Sequence, residues 1–578
     1  MDTQTDTKNC GSCGTACSGP SCKAGVCECD QGKTSCSGAC VDLKADAKNC
    51  GTCGTACPSG QDCKSGVCCK SGAENCGGAC VDQQTDPSHC GACDNACPAG
   101  QLCSSGTCKP CQQDSECGSG LTCDNGSCVC GPKCSWVSTL GAKNADVVGY
   151  GIAVDKDGNV FVTGRVQDEL SYEKGGNKIV LKANGGGDIF VAKMNARGQL
   201  EWVKRFGGNG PDEGRAITVD NKGGIFLTGS FSNKVTFEAG KELTAAQQAT
   251  DIFVLALDGK GAVTWVKRAG GEGTDEGLGI AYDNKDGVVV TGRFAKLAAF
   301  GATSLPPGGT ASTNSKELFL TRLATSNGDF SWALAPTGSS GTDLGGAVGN
   351  SVAVSSQGSF FVTGSCENTI KVGGEDICTT GNDFLILEAK SDGSSFVAGK
   401  ASKGSAQGNG IIVDGSGLPH VAGYFQSSVL FEKGYNAQGA LDVFVHVFKT
   451  PLDYNTTFQV KAGSSGEGEA KGIATTSSAK VIAGFYKAEI TFDSSKLASQ
   501  GANDIFVAGL DNAGKWTWSL TAGGSQEDKA HAIATDGRGG VYVVGGFQGT
   551  VKNFQTDATA DQTAQGKQDL FVWKVPVP

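Results

Sequence analysis

No phenylalanine, tryptophan, tyrosine or isoleucine occurs in the first 134 residues of this 578-residue chain. A segment so poor in bulky apolar side chains buries too little surface to offset the entropy of ordering its backbone, which excludes a conventional core there. Basic stripes are missing too: the formal net charge is −11, whereas nucleic-acid binding rests on clustered Lys and Arg. No window approaches the run of about eighteen apolar residues that a membrane helix needs, and the start Met1-Asp2-Thr3-Gln4 opens no signal-peptide pattern. Only four histidines are present, His89, His420, His446 and His531, and none sits in a His-Glu-x-x-His or nucleophile-elbow motif, so a hydrolytic triad has no support.

What the first region has is sulfur. Of 29 cysteines, 27 lie in residues 1–134, and only Cys366 and Cys378 lie beyond. Cys29, Cys36, Cys40, Cys50, Cys53, Cys57, Cys63 and Cys68 recur forty residues on as Cys69, Cys76, Cys80, Cys90, Cys93, Cys97, Cys103 and Cys108. The opening fits the same frame, with Met1-Asp2 standing where Val41-Asp42 and Val81-Asp82 stand, followed by Cys10, Cys13, Cys17, Cys22 and Cys27. Three cysteines of that first unit fall upstream of Met1; restoring them gives an even total of 30, and the expectation is an N-terminally truncated chain. A different six-cysteine module, knottin-like or growth-factor-like, follows at Cys111, Cys117, Cys123, Cys128, Cys130 and Cys134. The units expected are therefore 1–28, 29–68, 69–108 and 109–134, ahead of a large domain over 135–578.

Three chemistries fit these thiols. Cysteine density in units without an apolar core favours disulfides. Cys27-x-Cys29 and the absence of aromatics suit soft-metal thiolate clusters. The Cys-x-x-Cys pairs at Cys10, Cys50 and Cys90 have zinc-knuckle spacing but lie among too many other cysteines for a closed four-ligand site. Eight cysteines allow about 105 pairings, so spacing leaves the connectivity open. The stretch Cys40 to Cys57, with its Asn-Cys-Gly-x-Cys-Gly-x-x-Cys core recurring at Asn9, Asn49 and, as a variant, His89, resembles the stigma-specific cysteine-rich family of secreted plant and bacterial surface proteins. That resemblance implies secretion. The expected location is extracellular or on the cell surface, with a signal or anchor upstream of Met1, and the arm is expected to act as a disulfide-stapled stalk with little regular secondary structure.

Beyond Trp136 one theme recurs seven times. Inner strands are read at Gly151–Asp155, Ala216–Asp220, Gly279–Asp283, Ser351–Val354, Gly410–Asp414, Gly472–Thr475 and Ala532–Asp536, each followed by a second strand ending in Gly. Third strands start at Asp188, Asp251, Glu317, Asp383, Asp442, Asp504 and Asp569, and fourth strands carry Trp136, Trp202, Trp265, Trp332, Phe396, Phe458 and Trp518. Runs such as Asp188-Ile-Phe-Val-Ala192 are continuously apolar, as a sheet covered on both faces requires. Four strands per unit at this period predict an all-β, seven-bladed β-propeller. The chain enters on a fourth-type strand and stops on a third-type strand, so residues 135–140 are expected to pair with Asp569–Val575 and seal the ring. The region resembles the bacterial seven-bladed propeller repeat family, which implies a binding or structural scaffold and brings no catalytic residues. Ser355 and Thr476 stand where the inner strand usually ends in Asp, and Phe396 and Phe458 where the fourth strand usually carries Trp.

Asp146, Asp212, Asp275, Asp343 and Asp528 precede inner strands and are the candidate ring for a cation such as calcium, set against the plainer reading of Asp as a partner for turn backbone. No other cofactor is expected. Cys366 and Cys378 flank a polar hairpin-like insertion in blade four and are expected to pair. His420 and His446 fall inside strands and read as core imidazoles, and Lys204-Arg205 and Lys267-Arg268 read as solvated edge charges. The function expected is a noncatalytic secreted or surface binding protein, taking protein or carbohydrate at its loops; the alternatives are a metal-assisted lyase or hydrolase at the channel mouth, or a matrix component.

Overall fold

The computed structural model describes residues 2–577 except 14, 38, 98–100, 114–115, 117–120, 125–126, 131–133, 175–176, 307–315, 339–345, 379–380, 431–433, 450–451, 477–478 and 555–560. The chain divides into two compact units, Met1–Val129 and Cys130–Pro578. No helix among the described residues is long and apolar enough to cross a membrane.

In the first unit cystines take the place of a core. One full repeat is bonded Cys29–Cys40, Cys36–Cys53, Cys50–Cys63 and Cys57–Cys68, and the next repeats the scheme as Cys69–Cys80, Cys76–Cys93, Cys90–Cys103 and Cys97–Cys108. Cys10–Cys22 and Cys17–Cys27 are the same third and fourth bonds in the first repeat. Sulfur is what is buried: Cys50, Cys69 and Cys90 have 3%, 1% and 0% of their surface exposed. Short hairpins such as Gln61–Lys64 with Val67–Lys70 carry the bonded residues. The glycine in the Asn-Cys-Gly core is required by a close approach, because a Cβ on Gly51, at φ +77°, would lie 2.7 Å from the Gly66 carbonyl oxygen. Cys111 pairs with Cys123, and Cys134 is also disulfide-bonded. Cys117 and the side chains of Cys128 and Cys130 lie outside the described residues.

In the second unit the described strands pair into seven antiparallel four-stranded sheets. Blade 1 is Asp146–Val154, Val160–Gln167, Asp188–Met194 and Leu200–Gly208, from the inside outward. Blades 2 and 3 repeat it from Asp212–Val219 and Glu276–Tyr282. The strand Phe396–Val413 serves twice, its first part as the outer strand of blade 4 and its last part as the inner strand of blade 5. Blade 6 starts at Gly468–Thr475. Blade 7 is Asp528–Thr535, Val541–Phe547 and Asp569–Val575, completed by Trp136–Leu140 from the other end of the unit, with Trp136 opposite Lys574 and Leu140 opposite Leu570. Each inner strand touches the next in cyclic order, and that of blade 7 touches that of blade 1. The second and third strands are buried on both faces, as their apolar runs demand.

Two inter-blade devices recur. A fourth-strand ring sits on a turn glycine of the next blade: Trp136 on Gly198, Trp265 on Gly328, Trp332 on Gly393 and Phe458 on Gly514, each so close that a Cβ there would clash. Trp136 and Trp265 also donate their Nε1–H to the Ala196 and Thr325 carbonyls of those turns, at 3.1 and 2.8 Å. The second device is a hairpin strap. After its second strand every blade extends a hairpin that meets the end of the preceding blade's outer strand, at Gly141/Ser171, Gly207/Thr236, Gly270/Ala299, Thr337/Lys371, Lys403/Leu430, Gly463/Thr491 and Gly523/Lys552. Sequence reading found only the blade 4 strap, where Cys366 and Cys378 are bonded. One alignment needs correction: Phe396 pairs with Ala389, and Ala398, opposite Glu388, holds the position that Trp202 holds opposite Lys193. Blade 4 therefore has no ring at that position.

Deleting residues 135–140 should bare the edge of Asp569–Val575 and lower thermal stability, with a loss exceeding about 3 kcal/mol given that removing one buried large side chain costs about 2–5 kcal/mol; an unmoved melting curve would count against closure through Trp136–Leu140. Cys13, the counterpart of Cys53 and Cys93, is unbonded and exposed. Alkylation under non-reducing, denaturing conditions followed by mass spectrometry should label Cys13 alone among the described cysteines.

Candidate functional site

All seven inner strands break register at the same place, between Gly149/Gly151, Gly214/Ala216, Gly277/Gly279, Gly349/Ser351, Gly408/Gly410, Ala470/Gly472 and Ala530/Ala532. The extra residues are Tyr150, Arg215, Leu278, Asn350, Asn409, Lys471 and His531, and every one is half-buried between buried or crowded neighbours. A β-bulge bends a strand and re-aims one side chain. The residue after the bulge is always small, because the blades converge there: a Cβ on Gly410 would lie 2.8 Å from Gly472 Cα, and one on Gly279 would lie 2.9 Å from Ser351 Cα. The bulged side chains thus form one ring where the inner strands crowd together. Three neighbours in it touch. Arg215 lies over the Tyr150 ring at 4.7 Å, and Tyr150 packs edge-on against His531 at 5.4 Å. Asn350 and Asn409 each donate from Nδ2 to the next blade, to the Gly408 and Ala470 carbonyls at 2.9 and 2.8 Å.

Charge in this ring is balanced locally. Arg215 pairs with Glu213, Lys471 with Glu469 at 2.5 Å, and Lys529 with Glu527 at 2.6 Å. Lys471 and Lys529 also lie over the Phe485 ring, at 5.3 and 4.8 Å from its centroid. Dense surroundings, helped by the cations Lys471, Lys529 and Arg215, push His531 down to about 3, so its imidazole is neutral, and burial raises the Tyr150 hydroxyl. The result is a charge-neutral rim of amide, guanidinium, imidazole and phenol groups. The bulge has no signature in spacing, which is why sequence reading passed over these residues; the small residue opening each Gly-Ile-Ala-Val stretch is the only visible trace.

Among the described residues the candidate aspartates do not come together. Asp212, Asp275 and Asp528 are fully buried at three separate inter-blade junctions. Each spans the end of the preceding blade's outer strand and the end of its own second strand, where the strap begins: Asp212 accepts from Gly208 and Ser232 N–H, Asp275 from Gly271 and Ala295, and Asp528 from Gly524 and Gln548. Asp146 is out of step by one residue, since Val147, opposite Val166, holds the position that Asp212 holds opposite Phe231. Asp343 lies outside the described residues, and Ala347 occupies the equivalent register opposite Cys366. The plainer backbone-partner reading therefore describes the three equivalent residues.

Each of those three meets a second acid from the preceding blade, Asp188, Asp251 or Asp504, whose Oδ1 is buried without a partner. At Gly270 a Cβ would lie 2.6 Å from Asp275 Oδ2 and 2.8 Å from the orphan Asp251 Oδ1, so both carboxylates crowd this glycine. Arg205 and Arg268 clasp Asp188 and Asp251, which corrects their reading as solvated edge charges. His446 is fully buried and stacked on Phe448 at 4.1 Å, and burial drives it down to about 3. His420 is buried too but lines a cavity, with its Nε2 2.9 Å from Asp414 Oδ2. In the first unit the sulfurs of Cys50, Cys57 and Cys68, and their two repeat equivalents, lie within 4.8 Å of one another. They belong to adjacent disulfides, and the thiolate-metal readings would require those bonds to be reduced.

Fold and site together define a β-propeller preceded by cystine-rich repeats. Residues 136–165 and 201–230 match the family described as beta-propeller repeat, and residues 21–71 and 69–111 match the stigma-specific STIG1-like protein family. An uncharacterized WD repeat-containing protein of Acanthamoeba polyphaga mimivirus is 27% identical over 154 residues, 25% of this chain and 11% of that one. The regulatory protein FlaEY of Caulobacter vibrioides is 24% identical over 155 residues, 26% of this chain and 16% of that one. Among solved structures, BamB from Moraxella catarrhalis aligns with a TM-score of 0.31 at 12% identity, covering 70% of this chain and 94% of the other. The β-propeller domain of the Trilobed protease from Pyrococcus furiosus gives 0.36 at 10% identity, covering 75% and 94%. Similarities at this level carry no argument about activity.

Burial pushes Asp212, Asp275 and Asp528 up to about 7, against the pull of their backbone donors and with the adjacent acid adding to the rise. Their folded values exceed the ordinary carboxylate value of about 3.9, so between about pH 4 and 7 the native state holds protons that the unfolded chain has released. Stability should therefore fall as pH rises through that window and level off above it. Melting curves from pH 4 to 8 check this, and replacing all three by Asn should flatten the slope.

Proposed function

We propose that this protein is an extracellular, noncatalytic binding protein whose propeller takes a glycan at the ring of bulged residues. The observation that carries the reading is the repetition of one bulge, in phase, in all seven inner strands, which turns seven otherwise core-directed positions into Tyr150, Arg215, Leu278, Asn350, Asn409, Lys471 and His531. Polyhydroxylated ligands are recognised by planar amide, guanidinium and imidazole groups beside aromatic surface, and a rim whose cations are already paired suits a neutral ligand better than a polyanion. The disulfide scheme of the first unit supports an oxidising compartment. The lyase or hydrolase reading rested on a convergent aspartate rim, and three of those carboxylates instead hold backbone N–H groups at separate junctions.

A glycan array probed with the whole chain tests the reading. Retention of a neutral glycan is expected, weakened at least about tenfold by Arg215→Ala with Asn409→Ala, in protein whose circular-dichroism spectrum shows that the propeller is still folded at the assay temperature. No retained glycan, or retention indifferent to both substitutions, would overturn it.

A further inference from the structure

Between blades 5 and 6 lies a cavity of about 540 Å³ lined by Asp414, Leu418, His420, Phe458, Lys480 and Asn512 among others. Its size falls within the range of about 300–1,000 Å³ usual for small-molecule sites. The corresponding cavity between blades 3 and 4 is about 220 Å³, and there Arg322 is committed to Asp283, Asp286 and Ser331.

The residues that make the larger cavity are those that depart from the repeat. His420, opposite Ile412, stands in register with Phe161, Phe226, Phe361 and Tyr542. Lys480, opposite Thr475, stands in register with Val160, Ile225 and Val541. Phe458 stands where Trp202 stands, and Thr476 follows the inner strand where Asp usually does. Four departures in two neighbouring blades thus border one space. Burying an imidazole and an ammonium where the other blades bury Phe and Val is costly. Yet His420 is 2% exposed and Lys480 8% exposed.

The polar groups are only partly satisfied by one another. His420 Nε2 meets Asp414 Oδ2 at 2.9 Å, which makes that nitrogen the donor, and Nδ1 is left buried without a partner. Desolvation lowers the imidazole's proton affinity, so Nδ1 is a free acceptor. Lys480 Nζ donates to Asn512 Oδ1 at 2.7 Å and lies 3.9 Å from Asp414 Oδ2, and as an ammonium it has three protons to give. Asn512 keeps its amide N–H groups, and Phe458 presents a ring packed edge-on to His420 at 6.4 Å. Asp414 and Lys480 cancel in charge, so the space favours a neutral occupant.

We propose that this cavity is a second binding site, for a neutral hexose unit, in which one sugar hydroxyl donates to His420 Nδ1, others accept from Lys480 and Asn512, and a C–H face rests on Phe458. It is separate from the bulge ring and stands or falls independently of it. The test restores the repeat consensus with His420→Phe and Lys480→Val, substitutions that other blades already carry and that should raise the melting temperature. Isothermal titration of the whole chain with glucose, galactose and mannose, and with their β-linked disaccharides, should show saturable binding of at least one, weakened more than tenfold in either variant and unaffected by Arg215→Ala. Binding of a disaccharide but not its monosaccharide would assign the site to a chain end rather than a free sugar. The His420 ring signals in a nitrogen-edited NMR titration should shift on saturation. Failure of every sugar to bind, binding unchanged in both variants, or an unshifted His420 would each overturn the proposal.

Discussion

No blade of this propeller can bury itself. Each four-stranded sheet has two apolar faces, so each needs a neighbour on both sides, and the need is met only when the seventh sheet returns to the first. Trp136–Leu140 supplies that return by pairing along Asp569–Val575. The other inter-blade devices are consequences of the same requirement. Rings on turn glycines pack one end of several junctions, and a hairpin strap meets the preceding outer strand at all seven. Buried carboxylates tie strap and outer strand together at three junctions, at the expense of holding acid pairs away from water.

The first unit solves the opposite problem. It has little that is apolar to bury, and its order comes from cross-links that restrict the unfolded chain, with separations of 11 to 17 residues in the two complete repeats. The bonds interleave: Cys50 lies inside the Cys36–Cys53 loop while its own partner, Cys63, lies outside it. Interleaving folds a repeat into a knot of cystines whose sulfurs pack as apolar side chains would. The glycines that permit Gly51 to approach Gly66 are part of that packing, not of any chemistry.

Function in such a protein is written in exceptions. Where all seven blades share a deviation, the in-phase bulge, the ring acquires a rim of side chains that the two-residue period of a strand would otherwise have turned inward. Where neighbouring blades deviate alone, as at His420 and Lys480, the apolar wedge between sheets opens into a polar cavity. The repeat elsewhere is the reference against which both can be seen, and a single sheet would have offered no such comparison.

Much of the architecture was legible beforehand because it follows from local chemistry. The all-β class, the strand order within a unit and the closing strand follow from continuous apolar runs, turn glycines and the mismatched ends. The site was not. Asp146 and Asp343 look equivalent to Asp212 in the linear text, yet the ladder seats Val147 and Ala347 instead, because register is set by cross-strand pairing and not by distance from the next motif. Phe396 was misplaced against Ala398 for the same reason. The amino-acid order by itself determined that one region must be stapled and the other must stack sheets, since composition fixes what can be buried. Only the tertiary structure decided which side chains meet, because partners such as His420 and Lys480 belong to different sheets and are brought together by inter-blade packing that no local pattern encodes.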